Sequence, residues 1–221
     1  METEKLIQQL ADRVTPVAPL RSPWIRTAGW FALAISCIAI AVVVMAPRSD
    51  LMVKLGDPRF VIEQIAALAT GLTAAVAAFA TTIPGRSRRF LLLPVLPLAI
   101  WLGSIGQGCL ESWVHSGPEG LRLQPDWACV PAIAVIGLVP AVAIAIMLRR
   151  GAPLIPSVTV ALGGLAAAGL ADFGLRLSHN VDASLMVLVW QFGAVVLLTI
   201  LAGWAGRYIL SWRSVAAAAR E

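Results

Sequence analysis

Six runs of about twenty apolar residues, separated by short polar or basic turns, occupy most of the chain. Each run is long enough to cross a hydrocarbon core of about 30 Å. Backbone groups in lipid must find their partners internally, so a spanning segment is a helix or part of a closed barrel. The runs are continuous rather than alternating, which excludes the barrel. Composition agrees: 59% of the 221 residues are hydrophobic and 13% charged, where a soluble domain is about half apolar and a quarter charged. The chain is therefore read as an all-α polytopic membrane protein, a bundle of six transmembrane helices.

The spans are expected at about 27–46, 60–83, 90–108, 128–148, 154–175 and 184–206. Pro94 and Pro97 are expected to bend the third, and a polar loop should cover about 109–127. This divides the chain into an N-terminal segment 1–25, a six-helix domain 26–206 and a tail 207–221. The polar lead of about 25 residues is too long for the n-region of a signal peptide, so no cleavage is expected.

Lys and Arg divide unevenly between the two sides. Lys5, Arg13, Arg21, Arg26, Arg86, Arg88, Arg89, Arg149, Arg150, Arg207, Arg213 and Arg220 make 12 on one; Arg48, Lys54, Arg59, Arg122 and Arg176 make 5 on the other. The richer side is cytoplasmic by the positive-inside rule, which puts both termini in the cytoplasm. The net charge of +5 is then an orienting charge, and no nucleic-acid partner is implied.

Near the start, Leu6, Ile7, Leu10 and Val14 share one helical face, with Thr3 placed to cap, Glu4 in the first turn and Pro16 ending the pattern. A helix of about three turns is marginal alone. It would order either in the groove of a partner or on the lipid surface.

At the other end of the spans, Cys109, Glu111, His115, Glu119, Asp126 and Cys129 surround the third loop, and Asp172, His179 and Asp182 surround the fifth. Cys109 and Cys129 could form a disulfide or redox pair. Alternatively Cys109, Cys129, His115 and His179 could hold a soft or borderline metal ion, although the spacing matches no standard metal motif. They could also be small apolar cysteines among ordinary loop polars. Cys37, within the first span, reads as packing. Glu63 and Asp172 sit inside or at the ends of spans, where a carboxylate is functional or else paired, with Arg59 or Arg176 as partner. The small-residue runs 74–78 and 163–169 read as close helix packing. No phosphate-cradling glycine loop, HExxH pair or GxSxG elbow occurs, so no enzyme and no cofactor is implied.

The combination resembles a known family, the NrsF-type membrane anti-sigma factors, over nearly the whole chain. The residues that carry the likeness are Cys129-Val130-Pro131, the turn Leu148-Arg149-Arg150-Gly151-Ala152-Pro153-Leu154-Ile155-Pro156 and the stretch from Gly163 to Ala171. Leu6-Ile7-Gln8-Gln9-Leu10-Ala11, Val14-Thr15-Pro16-Val17 and Arg48-Ser49-Asp50-Leu51 are similar too. The resemblance implies an extracytoplasmic-function sigma factor as partner, bound at the bacterial inner membrane by Leu6, Ile7, Leu10 and Ala11. It also implies release on periplasmic stress, heavy metal or oxidative, with a transient metal ion as a possible partner. The family uses two periplasmic cysteines. Cys129 matches one, whereas His179, in Leu177-Ser178-His179-Asn180, stands where the other is expected; Cys109 could supply the missing thiol. A different class fits the same spans: a small transporter or channel whose path Glu63, Asp172, Pro94 and Pro97 would line. A structural subunit of a larger membrane complex is a third.

Overall fold

A computed structural model describes residues 2–12, 20–117, 129–179 and 187–210. A short helix α1 (Glu2–Ala11) comes first. Helix α2 (Pro23–Met45) is followed by a single turn, α3 (Leu51–Lys54), and by α4 (Pro58–Ala80). A 3-10 turn (Arg88–Leu92) leads into α5 (Val95–Ser116). Then come α6 (Cys129–Arg149) and α7 (Pro156–Arg176), and a π-helical stretch (Val187–Phe192) that continues as α8 (Gly193–Ile209). Six of the described helical segments are long and apolar enough to cross a membrane.

Local chemistry sets the ends. Pro23, Pro58 and Pro156 occupy the first turns of α2, α4 and α7, where the missing N–H costs nothing. The Asp57 carboxylate caps α4 by accepting from the Arg59 N–H at 3.0 Å. Gly117, at φ 59°, caps α5 in a conformation that a side chain would strain.

Two expectations need correction. The third span does not end near Gly108: α5 runs on to Ser116, so Cys109, Glu111 and His115 lie on helix rather than in a loop. The sequence loses its apolar character there, but no breaker appears before Gly117, and polar residues are tolerated where a helix leaves the bilayer. Pro94 and Pro97 do not interrupt the helix either. Pro94 precedes α5 and Pro97 lies in its first turn, the part of a helix that tolerates proline. The proline that does sit inside a helix is Pro140 of α6, and its carbonyl accepts from Trp30 Nε1 at 2.9 Å.

Helices α4 and α7 form the centre. Within their spans 61% and 67% of the most apolar stretch is buried, against 17–28% in the other four. The central pair runs antiparallel: Glu63 meets Arg176 at one end, and Thr81 meets Thr159 at the other. Small residues permit the approach, including Ala74, Ala75, Ala78, Ala166 and Gly169. Lipid is as apolar as leucine, so close van der Waals contact is what holds such helices together. A side-chain carbon added at Gly164 would stand 2.5 Å from Ala202 Cβ, whereas one at Gly103 would meet nothing within 4 Å. Gly164→Ala should therefore lower stability by about 1–3 kcal/mol. Gly103→Ala should leave it unchanged or slightly raised through helix propensity. Unfolding by SDS from mixed micelles checks the pair, and equal effects would refute this account of the packing.

Candidate functional site

Chemistry concentrates at the two ends of the bundle and in α1. On α1, Leu6 and Ile7 are 55% and 58% exposed. Glu4, Lys5, Gln8 and Gln9 are exposed as well. The side chains of Leu10 and Ala11 lie outside the described residues.

At the arginine-rich end, Arg26 is buried. Its guanidinium donates to Thr82 Oγ1 at 2.9 Å and to the Met147 carbonyl at 2.5 Å, and lies 4.4 Å from the centre of the Phe79 ring. One side chain thus joins the start of α2 to the ends of α4 and α6. A cation suits the C-terminal carbonyls of helices. The Thr82 carbonyl accepts from the Ala152 N–H at 3.1 Å. A side-chain carbon at Gly151 would stand 2.4 Å from Thr82 Cβ, so the Arg149–Pro153 turn is pressed onto the end of α4. Sequence reasoning counted Arg26 as an orienting charge and missed this clamp. The signal available was an arginine and a threonine flanking apolar runs, which does not by itself predict a pair.

At the opposite end a polar network joins three helices and the segment after α2. Arg176 donates to Glu63 at 2.5 Å, with both side chains 8% exposed. Arg59 Nε lies 3.5 Å from Glu63, and Arg59 Nη1 donates to Glu111 at 2.9 Å. Gln107 donates to the other Glu111 oxygen at 3.1 Å. The guanidinium groups of Arg48 and Arg176 lie 5.6 and 5.3 Å from the Phe60 ring centre, within cation–π range. The Arg48 N–H donates to the Leu177 carbonyl at 3.0 Å, which ties the segment after α2 to the end of α7. Outside the spans, hydrogen bonds from Arg48 hold the Asp50 carboxyl below its ordinary range. Of the two intramembrane carboxylates, Glu63 thus takes both expected arginine partners. Asp172, 2% exposed, forms no ion pair with either.

Cys109 lies in the last third of α5, half-buried, as a free thiol within the electrostatic reach of Arg59 and Glu63. His115 is exposed in the last turn of the same helix. His179 follows α7, and its N–H donates to the Leu175 carbonyl at 2.8 Å. Cys129 is the first residue of α6, and its side chain lies outside the described residues. Among the described residues, no three His, Cys, Asp or Glu side chains are grouped so as to hold a metal ion.

Residues 10–212 match the family model described as NrsF, negative regulator of sigma F. The match begins at Leu10, so Leu6 and Ile7 precede it. No curated protein and no solved structure matches the chain.

Proposed function

This chain belongs to the NrsF family of negative regulators of sigma F, and from that premise we propose that it holds a sigma factor of the extracytoplasmic-function type at the bacterial inner membrane. The observation that carries the reading is α1: an amphipathic helix outside the spans, with Leu6 and Ile7 more than half exposed. An exposed apolar face on a marginal helix suits an amphipathic ligand that docks in a groove. Leu10 and Ala11 would complete that face. Both termini are cytoplasmic in this reading, because the Arg-rich ends of the helices face that side.

Release follows from coupling the two ends of the bundle. A stress signal on the periplasmic side, heavy metal or oxidant, acts at Cys129 with Cys109 or His179 as its partner. Helices α4 and α7 run from that side to the arginine-rich end. There Arg26 fastens the residues that follow the N-terminal segment to α4 and α6. A shift between two packings of the bundle would then change how α1 is presented.

The test is co-purification. Tagged at its C-terminus and extracted from native membranes, the wild type should bring down a small soluble sigma factor, and cadmium or a thiol oxidant should reduce the yield severalfold. Cys129→Ser should retain the partner under both treatments. A membrane extract without any sigma factor would sink the reading, and full release from the Cys129→Ser chain would sink the sensing part alone.

A further inference from the structure

The arginine-rich end holds a cavity of about 570 Å³ between the start of α2 and the end of α6. Three arginines line it: Arg21 before α2, Arg26 one turn into α2, and Arg150 just after α6. Among the described residues no Asp or Glu lines it, and none of the three arginines forms an ion pair. The stretch 13–19 that leads into it contains no carboxylate either. Arg26 is 7% exposed, lies within electrostatic reach of Arg150 and donates to two neutral oxygens, Thr82 Oγ1 and the Met147 carbonyl. A guanidinium has five N–H donors, so neither its charge nor all of its donors are matched by these partners. Like charges around a cavity with low-dielectric walls focus a positive potential inside it, and an anion placed there offsets their repulsion.

The rest of the lining is apolar and sits on the outside of the bundle, which for a spanning helix means lipid. Leu20 is 39% and Ile25 55% exposed, and a side-chain carbon added at Gly29 would meet nothing within 4 Å. Ile25, Gly29 and Leu33 follow one another at i, i+4 and i+8, so they form one exposed stripe that leads from the cavity along α2. Trp24, beside the cavity, is 57% exposed, and tryptophans at the ends of spans sit at headgroup level. A free phosphate would use only the arginines. A molecule with an acidic head and apolar chains uses the arginines and the stripe together.

We propose that Arg21, Arg26 and Arg150 bind the phosphodiester headgroup of an anionic phospholipid, with an acyl chain laid along Ile25, Gly29 and Leu33. The planar fork of a guanidinium matches two phosphate oxygens, and basic pockets between membrane helices hold acidic headgroups. The bound lipid joins the start of α2 to the end of α6, the same elements that Arg26 fastens, and so stabilises the packed bundle. The site takes the helices as membrane spans and stands independently of the sigma-factor reading.

The experiment uses the purified full-length chain in dodecyl maltoside micelles. Its unfolding midpoint is followed as phosphatidylglycerol is added, with phosphatidylcholine at the same mole fraction as the neutral lipid and inorganic phosphate as the free anion. The wild type should show a saturable rise on the order of 5 °C with phosphatidylglycerol alone. Arg21 and Arg150 are exposed, so the double variant Arg21→Gln with Arg150→Gln should fold. It should need roughly tenfold more phosphatidylglycerol for the same rise, the equivalent of about 1.4 kcal/mol. Arg88→Gln with Arg89→Gln removes two exposed charges from the same end but outside this cavity, and should match the wild type. The proposal is overturned by a wild type that responds equally to phosphatidylcholine, by inorganic phosphate reproducing the rise, by an unchanged lipid requirement in the Arg21, Arg150 variant, or by an equal loss in the Arg88, Arg89 variant. An Arg21, Arg150 variant that keeps its lipid response yet no longer brings down the sigma factor would assign the cavity to an acidic segment of that partner instead. No sigma factor enters the lipid titration, so its failure leaves the regulatory reading where it stands.

Discussion

Ile7→Asp is expected to insert as the wild type does and to release its sigma factor without any stress, so that the regulon is constitutively active. Ile7 is 58% exposed in the free chain, and an aspartate there has water around it and disturbs no packing. The cost arises only when the helix docks, because an unpaired carboxylate is then taken out of water. Truncating or charging a central apolar anchor costs about 2–4 kcal/mol, which is roughly 30- to 1000-fold in affinity. Leu6→Asp should behave alike. Gln9→Asp adds the same charge about 130° from the centre of the apolar face, by the 3.6-residue period, and should leave repression intact. If α1 instead lies on lipid, Ile7→Asp will lift it from the membrane surface while the regulon stays silent. Measuring reporter output together with membrane yield of the three variants separates these outcomes.

The six spans were legible because about twenty apolar residues have few alternatives to a membrane helix. Their ends were legible only where a residue forces one. Pro58 after Asp57 marks the start of α4, but nothing before Gly117 stops α5, and a hydropathy boundary near Gly108 was not a structural one. The small-residue runs announced close packing, and Gly163, Gly164 and Gly169 supply it. Which helices would be central was not legible, because that depends on which small-residue faces meet. Polar partners were half legible. A buried glutamate calls for an arginine, and Glu63 has two within 4 Å. That Asp172 would go without one could not be read from a sequence in which Arg176 stands four residues away on the same face. The Arg26 clamp was invisible for the same reason, since Thr82 and Met147 are 56 and 121 residues distant.

Arg176 should prove the most costly charged residue in the bundle to remove. Its head group is held by Glu63 at 2.5 Å, stands over the Phe60 ring and is the nearest positive charge to Asp172. Arg176→Met keeps the apolar stem and deletes the charge, which leaves Glu63 to Arg59 at 3.5 Å and Asp172 with no cation. Breaking a buried pair from one side costs about 3–5 kcal/mol, because the remaining charge is stranded. Arg59 makes the contrast. Its side chain is 31% exposed and its partner Glu111 is 53% exposed, and pairs in water are worth about 1 kcal/mol or less. Arg59→Met should therefore cost a fraction of what Arg176→Met costs. The decisive variant is the double change Arg176→Met with Glu63→Gln, which removes the cation and its main carboxylate together. Stranding predicts that the double variant regains most of the lost stability, since replacing a whole buried pair is often close to neutral. A simple loss of favourable contacts predicts the opposite, a double variant at least as unstable as the single one. SDS unfolding of the four chains in mixed micelles distinguishes the two. If Arg176→Met and Arg59→Met lose equal stability, burial is not what gives the Glu63 pair its weight.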